Sequence, residues 1–186
     1  MKKYFEKVLM VMLAAFLSLS FTACSDDDDD DSGKGSMSGW VEIDGKKYDF
    51  KYFYGYFDTD GEVFFTGFNK NPRSMKESDN FNMTNFTMAF KSDGTLDSEY
   101  GNPAIGFEFE INCNEGKGNA DMVMYGNVST SYEGITAKKS GKKLIIDGDE
   151  VDVRYGDKGQ THLSPGDPVK TISFHFEGTP EEVSMD

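Results

Sequence analysis

The chain has 186 residues, with 33 acidic against 19 basic side chains and a formal charge of −14 at pH 7. That balance argues against nucleic acid and anionic lipid surfaces as partners. Two cysteines, Cys24 and Cys113, leave no room for a disulfide framework or a cysteine-built zinc site, and the length fits one domain after a leader.

Reading from the N-terminus, Lys2, Lys3 and Lys7 precede an apolar run over residues 8–21, too short to span a bilayer comfortably. Thr22 and Ala23 then lead into Cys24. The segment resembles a bacterial lipoprotein signal, in which cleavage before the cysteine exposes it for acylation, here expected to include palmitate. An ordinary secretory signal cut after Ala23, with Cys24 a free thiol, is the plainer reading. Directly behind it stand Asp26, Asp27, Asp28, Asp29, Asp30 and Asp31. This run resembles the acidic export signal of Bacteroidetes surface lipoproteins; as chemistry alone it is a solvated, self-repelling spacer. Six adjacent carboxylates lack the preorganised spacing of a calcium loop.

Three parts follow: a cleaved signal over 1–23, a lipidated and acidic tether with a Gly/Ser-rich linker over 24–38, and one domain over 39–186. Removing residues 1–23 takes away three lysines and one glutamate, so the formal charge becomes −16. The expected location is the outer membrane, held by acyl chains and facing the cell exterior, with no transmembrane helix in the mature chain.

The body carries period-two alternation broken by turns and no sustained helical pattern. Asp-Gly pairs at Asp44-Gly45, Asp60-Gly61, Asp93-Gly94 and Asp147-Gly148 read as tight hairpin turns. At the first, Ile43 faces Lys46, Glu42 faces Lys47, Val41 faces Tyr48 and Trp40 faces Asp49, which pairs opposite charges and gathers apolar groups on one face. At the last, the same logic sets Leu144 against Val151. Strands are expected over 39–43, 46–57, 62–68, 81–91, 104–113, 121–127, 134–138, 142–146, 149–155 and 169–177. Roughly ten short strands suggest an all-β antiparallel sandwich of jelly-roll type, with loops 69–80 and 156–168 crossing between sheets; a closed calycin-like barrel is the alternative. The stretches "GWVEIDGKKYDF" and "KTISFHFEGT" resemble the small β-rich lipoprotein domains of the same bacteria, a likeness that carries no functional residue with it.

Candidate chemistry is sparse. In "KKYDFKYFYGYF" (residues 46–57), Tyr48, Phe50, Tyr52, Tyr54 and Tyr56 share one strand face and Phe53 and Phe57 the other. This is either a strand covered on both sides or one bent at Gly55; core packing explains it more simply than a sugar-stacking platform. Trp40, placed near the domain mouth, is the named candidate ligand contact, with a cap over the core as its structural alternative. No nucleophile elbow, phosphate loop, metal-protease motif or cysteine–histidine pair is present. His162 and His175 read as surface residues and Cys113 as a small buried one. The carboxylates of Asp58, Asp60 and Glu62, or of Asp147, Asp149 and Glu150, offer a remote chance of calcium, though polar hairpin tips account for them. The expected function is a surface-anchored, non-catalytic binding module for glycan or other extracellular ligand. A structural or adhesive component contacting surface protein is the alternative, and a lipocalin-like carrier the third.

Overall fold

The computed structural model describes residues 35–97, 105–127 and 133–183. The signal over 1–23, Cys24 and Asp26–Asp31 lie outside the described residues. Eleven strands form one sheet: β1 (Ser38–Ile43), β2 (Lys46–Phe50), β3 (Tyr52–Phe57), β4 (Glu62–Phe68), β5 (Phe81–Ala89), β6 (Ile105–Cys113), β7 (Val123–Gly126), β8 (Ile135–Ser140), β9 (Lys143–Tyr155), β10 (Val169–Gly178) and β11 (Glu181–Glu182). Two single 3-10 turns, at Pro72–Ser74 and Glu115–Lys117, are the only helical geometry among the described residues.

The sheet runs β11-β3-β4-β5-β6-β7-β9-β10-β1-β2, with β8 also paired to β9. Every pairing is antiparallel except β11 with β3. The sheet curls into a half-barrel. It is therefore neither the expected two-sheet sandwich nor a closed barrel, and loops 69–80 and 156–168 do not cross between sheets. Met75 and Leu163 from those loops pack instead on the convex face.

The concave face is filled by phenylalanines. Phe86 lies at the centre, with ring centroids 4.9 Å from Phe65, 5.1 Å from Phe176, 5.7 Å from Phe107 and 5.8 Å from both Phe109 and Phe174. Edge-to-face and offset contacts at these distances add to the burial itself. A second, smaller cluster lies on the convex face: Tyr54, Phe68, Phe81, Met83, Cys113, Met122 and Met124 under Met75, Leu163 and Val183. Cover on both faces is why every residue of β4 is buried.

The β1–β2 hairpin has the register read from its charges, with Trp40 opposite Asp49, Val41 opposite Tyr48, Glu42 opposite Lys47 and Ile43 opposite Lys46. Three of the four Asp-Gly pairs are turns, their glycines at φ 74, 88 and 82. At Asp93-Gly94 the Asp93 carboxylate accepts from the Thr95 amide at 2.9 Å and its hydroxyl at 2.6 Å, and these bonds hold the carboxyl below its usual range.

The fourth Asp-Gly is not a turn. β9 runs straight through Asp147-Gly148, so Leu144 pairs with Gly178 and Val151 with Ile172. What the dipeptide marks is a bulge, with a register shift between Ile172 and Phe174 and Glu150 at φ 51. Gly148 is needed there because a Cβ would lie 2.3 Å from the Phe174 ring. The actual reversal before β9 is at Gly141, φ 59, between Ser140 and its partner Lys143.

The aromatic strand also departs from expectation. It breaks at Lys51 rather than bending at Gly55, and the side-chain parity reverses there. Phe50 and Phe53 both enter the concave core, while Tyr54 joins the convex cluster and Tyr52 is exposed. Tyr52 thus does not share a face with Tyr48 and Phe50. Met37, just before β1, is buried, and its amide donates to the Thr179 carbonyl at 3.1 Å.

Candidate functional site

The break at Lys51 opens a cleft in the surface formed by the described residues. β2 pairs only with β1, at one end of the sheet, whereas β3, directly after it, pairs with β4 near the other end. The two ends of the curl are thus joined covalently at Lys51, whose amide donates to the Phe68 carbonyl at 2.9 Å. From that corner they diverge, and the wedge between β2 and the ends of β4–β7 is a cleft of about 660 Å³.

One wall is β2, contributing Lys46, Lys47, Tyr48 and Asp49, with Lys51 at the corner. Ile111 and Val123, paired across β6 and β7, give the floor an apolar patch. Tyr125 stands beside them with its ring stacked 6.0 Å from Tyr155. Burial raises the Tyr125 hydroxyl above its ordinary value, with Lys170 opposing the shift and Tyr48, Asp44 and Tyr155 adding to it. The ammonium of Lys46 lies 4.6 Å from the Tyr48 ring centre, and that of Lys170 4.9 Å from the Tyr155 ring centre.

Three asparagines form the opposite wall. The Asn82 amide donates to Asn69 Oδ1 at 2.7 Å, and the Asn112 amide to Asn82 Oδ1 at 3.0 Å. Each side-chain oxygen satisfies a backbone group where the strand ladder ends. Asn69 and Asn82 line the cleft, and their Nδ2 groups, with no protein acceptor among the described residues, keep their donor capacity. Asn112, at φ 66, sits in the bulge that also turns Cys113 away from the concave core. Amide donors, phenol rings and charged tips around a small apolar floor can hydrogen-bond and stack on a hydroxyl-rich ligand.

A second polar group lies on the convex face and was not singled out from sequence. Thr66, Asn85, Glu108 and Gly126 are successive partners across β4–β7. The Thr66 hydroxyl donates to Asn85 Oδ1 at 2.9 Å, while the buried Asn85 Nδ2 has no partner among the described residues. One pair along β6, Glu110 lies between Met83 and Met124. Burial, then the neighbouring Glu108, push the Glu110 carboxyl up to about 7; burial raises Glu108 too. Cys113 Sγ is 3.7 Å from Glu110 Oε2, and burial plus that carboxylate raise the thiol well above its ordinary range. Cys113 is thus a buried, inert thiol, on the convex side rather than in line with Ile111. The signal for this group was the Glu108/Glu110 alternation in β6, which reads as a solvated face unless the covering loop is known.

Trp40 lies on the convex face of β1, half-buried between β2 and β10, and lines neither the seam cleft nor the core. Lys47 Nζ stands 4.0 Å from its ring centre and His175 is 6.4 Å away, so the indole borders the cleft only through Lys47. His175 Nδ1 is 2.6 Å from Asp147 Oδ1, and His162 is exposed. Asp58 Oδ1 accepts from Thr59 Oγ1 at 3.2 Å and tightens its own turn, while Glu62 is buried separately in β4. Among the described residues no three His, Cys, Asp or Glu side chains converge as a metal set would. A second cleft, of about 550 Å³, lies between hairpin tips and is lined by Asp58, Asp60 and Asp93 with Lys91 and Lys139.

Comparison of the chain with protein-family models, with curated proteins and with solved structures finds no match.

Proposed function

We propose that this chain is a surface-anchored lipoprotein whose body is a non-catalytic binding module for extracellular glycan, with the seam cleft as its site. The address rests on Lys2, Lys3, Lys7, the apolar run 8–21, Cys24 and the six aspartates from Asp26 to Asp31. The site rests on one observation: tyrosine rings, free amide donors and lysines gathered around an open cleft of about 660 Å³. Such a mixture suits a ligand that is hydroxylated on its edges and apolar on its ring faces.

The geometry gives the competing readings less. A carrier of apolar ligands needs a roomy interior, and the concave face is packed with phenylalanine rings. Strand addition by a protein partner needs a long, flat, uncharged edge. Here the edges are the two-residue acidic β11, the five-residue, lysine-bearing β2 and the lysine-bearing β8, which Thr95 bridges at Lys138.

Binding of the full-length protein to a panel of soluble polysaccharides, by affinity electrophoresis and calorimetry, tests the proposal. Tyr48→Ala and Tyr125→Ala should each weaken retention about tenfold, equivalent to about 1.4 kcal/mol. Retention unchanged in both variants, or no retention by any glycan, would remove the cleft from consideration.

A further inference from the structure

We infer that the seam cleft selects anionic glycans, those bearing carboxylate or sulfate groups, over neutral ones; this rests on the glycan reading above. The cleft is lined by four lysines against two aspartates, on a chain whose formal charge is −14. The cleft between the hairpin tips has the opposite balance, three aspartates against two lysines. Of the two clefts, only the first carries an excess of positive charge.

The pairing of the charges sharpens this. Lys158 is partly neutralised by Asp121 at 3.9 Å. Lys46, Lys47 and Lys51 have no carboxylate within ion-pair distance among the described residues; Lys46 and Lys47 rest on the rings of Tyr48 and Trp40 instead. A ring face leaves the ammonium charge uncompensated and holds the side chain in place. Arg73, Lys142 and Lys143, outside the cleft lining, are paired with Glu181, Glu182 and Glu177, and Lys170, close to Tyr125, is paired with Asp44.

Spacing favours a polymer over a small ion. Lys46 opens β2 and Lys51 directly follows its last residue, about 16 Å apart if the backbone between them is extended. Single anions would meet one ammonium at a time, whereas a chain with repeated acidic groups can meet several at once. The distant acidic surface opposes approach, but at physiological ionic strength charges beyond about 8 Å are largely screened, so the cleft's own lysines decide.

The test uses the full-length protein at physiological salt with matched probes. These are polygalacturonate and its fully methyl-esterified form, dextran sulfate and dextran, and inorganic polyphosphate. The charged glycans should bind at least tenfold more tightly than their neutral parents, with affinity falling as salt rises further. Lys46→Gln with Lys51→Gln should abolish most of that preference, while Lys142→Gln, at a paired surface lysine, should leave it intact. Equal binding of charged and neutral partners, lost in Tyr48→Ala, would overturn the charge inference and keep the glycan site. Polyphosphate binding as tightly as the acidic glycans would show a cleft that reads charge alone and overturn it as well. No binding of any glycan would sink the underlying reading itself.

Discussion

Glu110 offers the sharpest test of the packing. Its carboxyl is buried between Met83 and Met124 beside Glu108 and Cys113, and is pushed from 4.5 up to about 7. In the unfolded chain the same group returns to the ordinary value. Below about pH 4.5 both states hold the proton and the group contributes no pH dependence. Between there and about 7 the unfolded chain releases the proton first, so stability falls as pH rises. Above that window the full penalty applies, about 3 kcal/mol at 1.36 kcal/mol per unit. Glu110→Gln removes the titration while keeping the shape. Urea unfolding followed from pH 4.5 to 8 should show the wild type losing about 3 kcal/mol relative to the variant, or about 6–12 °C in melting midpoint for a domain of this size. The amide can carry a constant offset of its own, so the pH-dependent difference is the quantity that matters. Parallel curves for the two proteins across that range would mean that water reaches Glu110 and that the convex cluster is open.

Four other outcomes follow from particular residues. Cys24→Ala should release the protein from membranes; continued sedimentation with outer membrane after a high-salt wash would refute lipid anchoring. Replacing Asp26–Asp31 by alanine should keep the lipid yet remove protease accessibility on intact cells, and unchanged accessibility would leave the run a spacer. Trp40→Ala should cost about 1–2 kcal/mol, below the roughly 3–5 kcal/mol of a fully buried aromatic, since the indole is only partly buried and carries one cation–π contact; iodide should quench its emission partly, and an unquenched, blue-shifted signal would contradict that placement. Gly148→Ala should cost about 1–3 kcal/mol, because its Cβ would meet the Phe174 ring at 2.3 Å and force the core apart; a neutral effect in chemical denaturation would refute the close approach at the β9 bulge.

Most strands were legible in the sequence because they are half-buried, and half-burial writes itself as alternation. β6 and β10 show this directly: Phe107 and Phe109, or Phe174 and Phe176, face inward with Glu108 or His175 between them. Alternation is silent about what happens when parity changes. At Asn112 a bulge turns Cys113 to the opposite face from the one its spacing implies, and at Asp147-Gly148 a turn-forming dipeptide sits inside a strand. Asp-Gly satisfies a bulge as well as a hairpin, and only the depth of the approach to Phe174 decides between them. Sheet count was equally hidden. Two inward faces meeting across a core look the same, residue by residue, whether they belong to two sheets or to one curled sheet.

The candidate site was missed for a related reason, and the reason bears on how the site arises. In residues 46–57 the aromatic alternation continues smoothly through Lys51, so nothing local announces that Phe50 and Phe53 both point into the core. A lysine at that corner cannot enter the apolar interior, and two inward aromatics three residues apart, Phe50 and Phe53, require the strand to reverse its pleat there. That reversal sends β2 to β1 and β3 to β4, and the sheet is left unable to zip its last seam. The unpaired ends must then find solvent or side-chain partners, which is why Asn69 and Asn82 spend their carbonyls on backbone amides and keep the donor capacity of their Nδ2 groups. The cleft, its amide donors and its unneutralised lysines are thus one consequence of a single break in strand parity. Restoring the parity should remove the site together with the seam. Deleting Lys51 would let plain alternation carry Phe50 and Phe53 inward with Tyr52 between them facing out, and either the strand closes and the polysaccharide affinity of the cleft disappears, or the fold is lost. A folded deletion variant that still binds as the wild type does would separate the cleft from the break and refute this account of its origin.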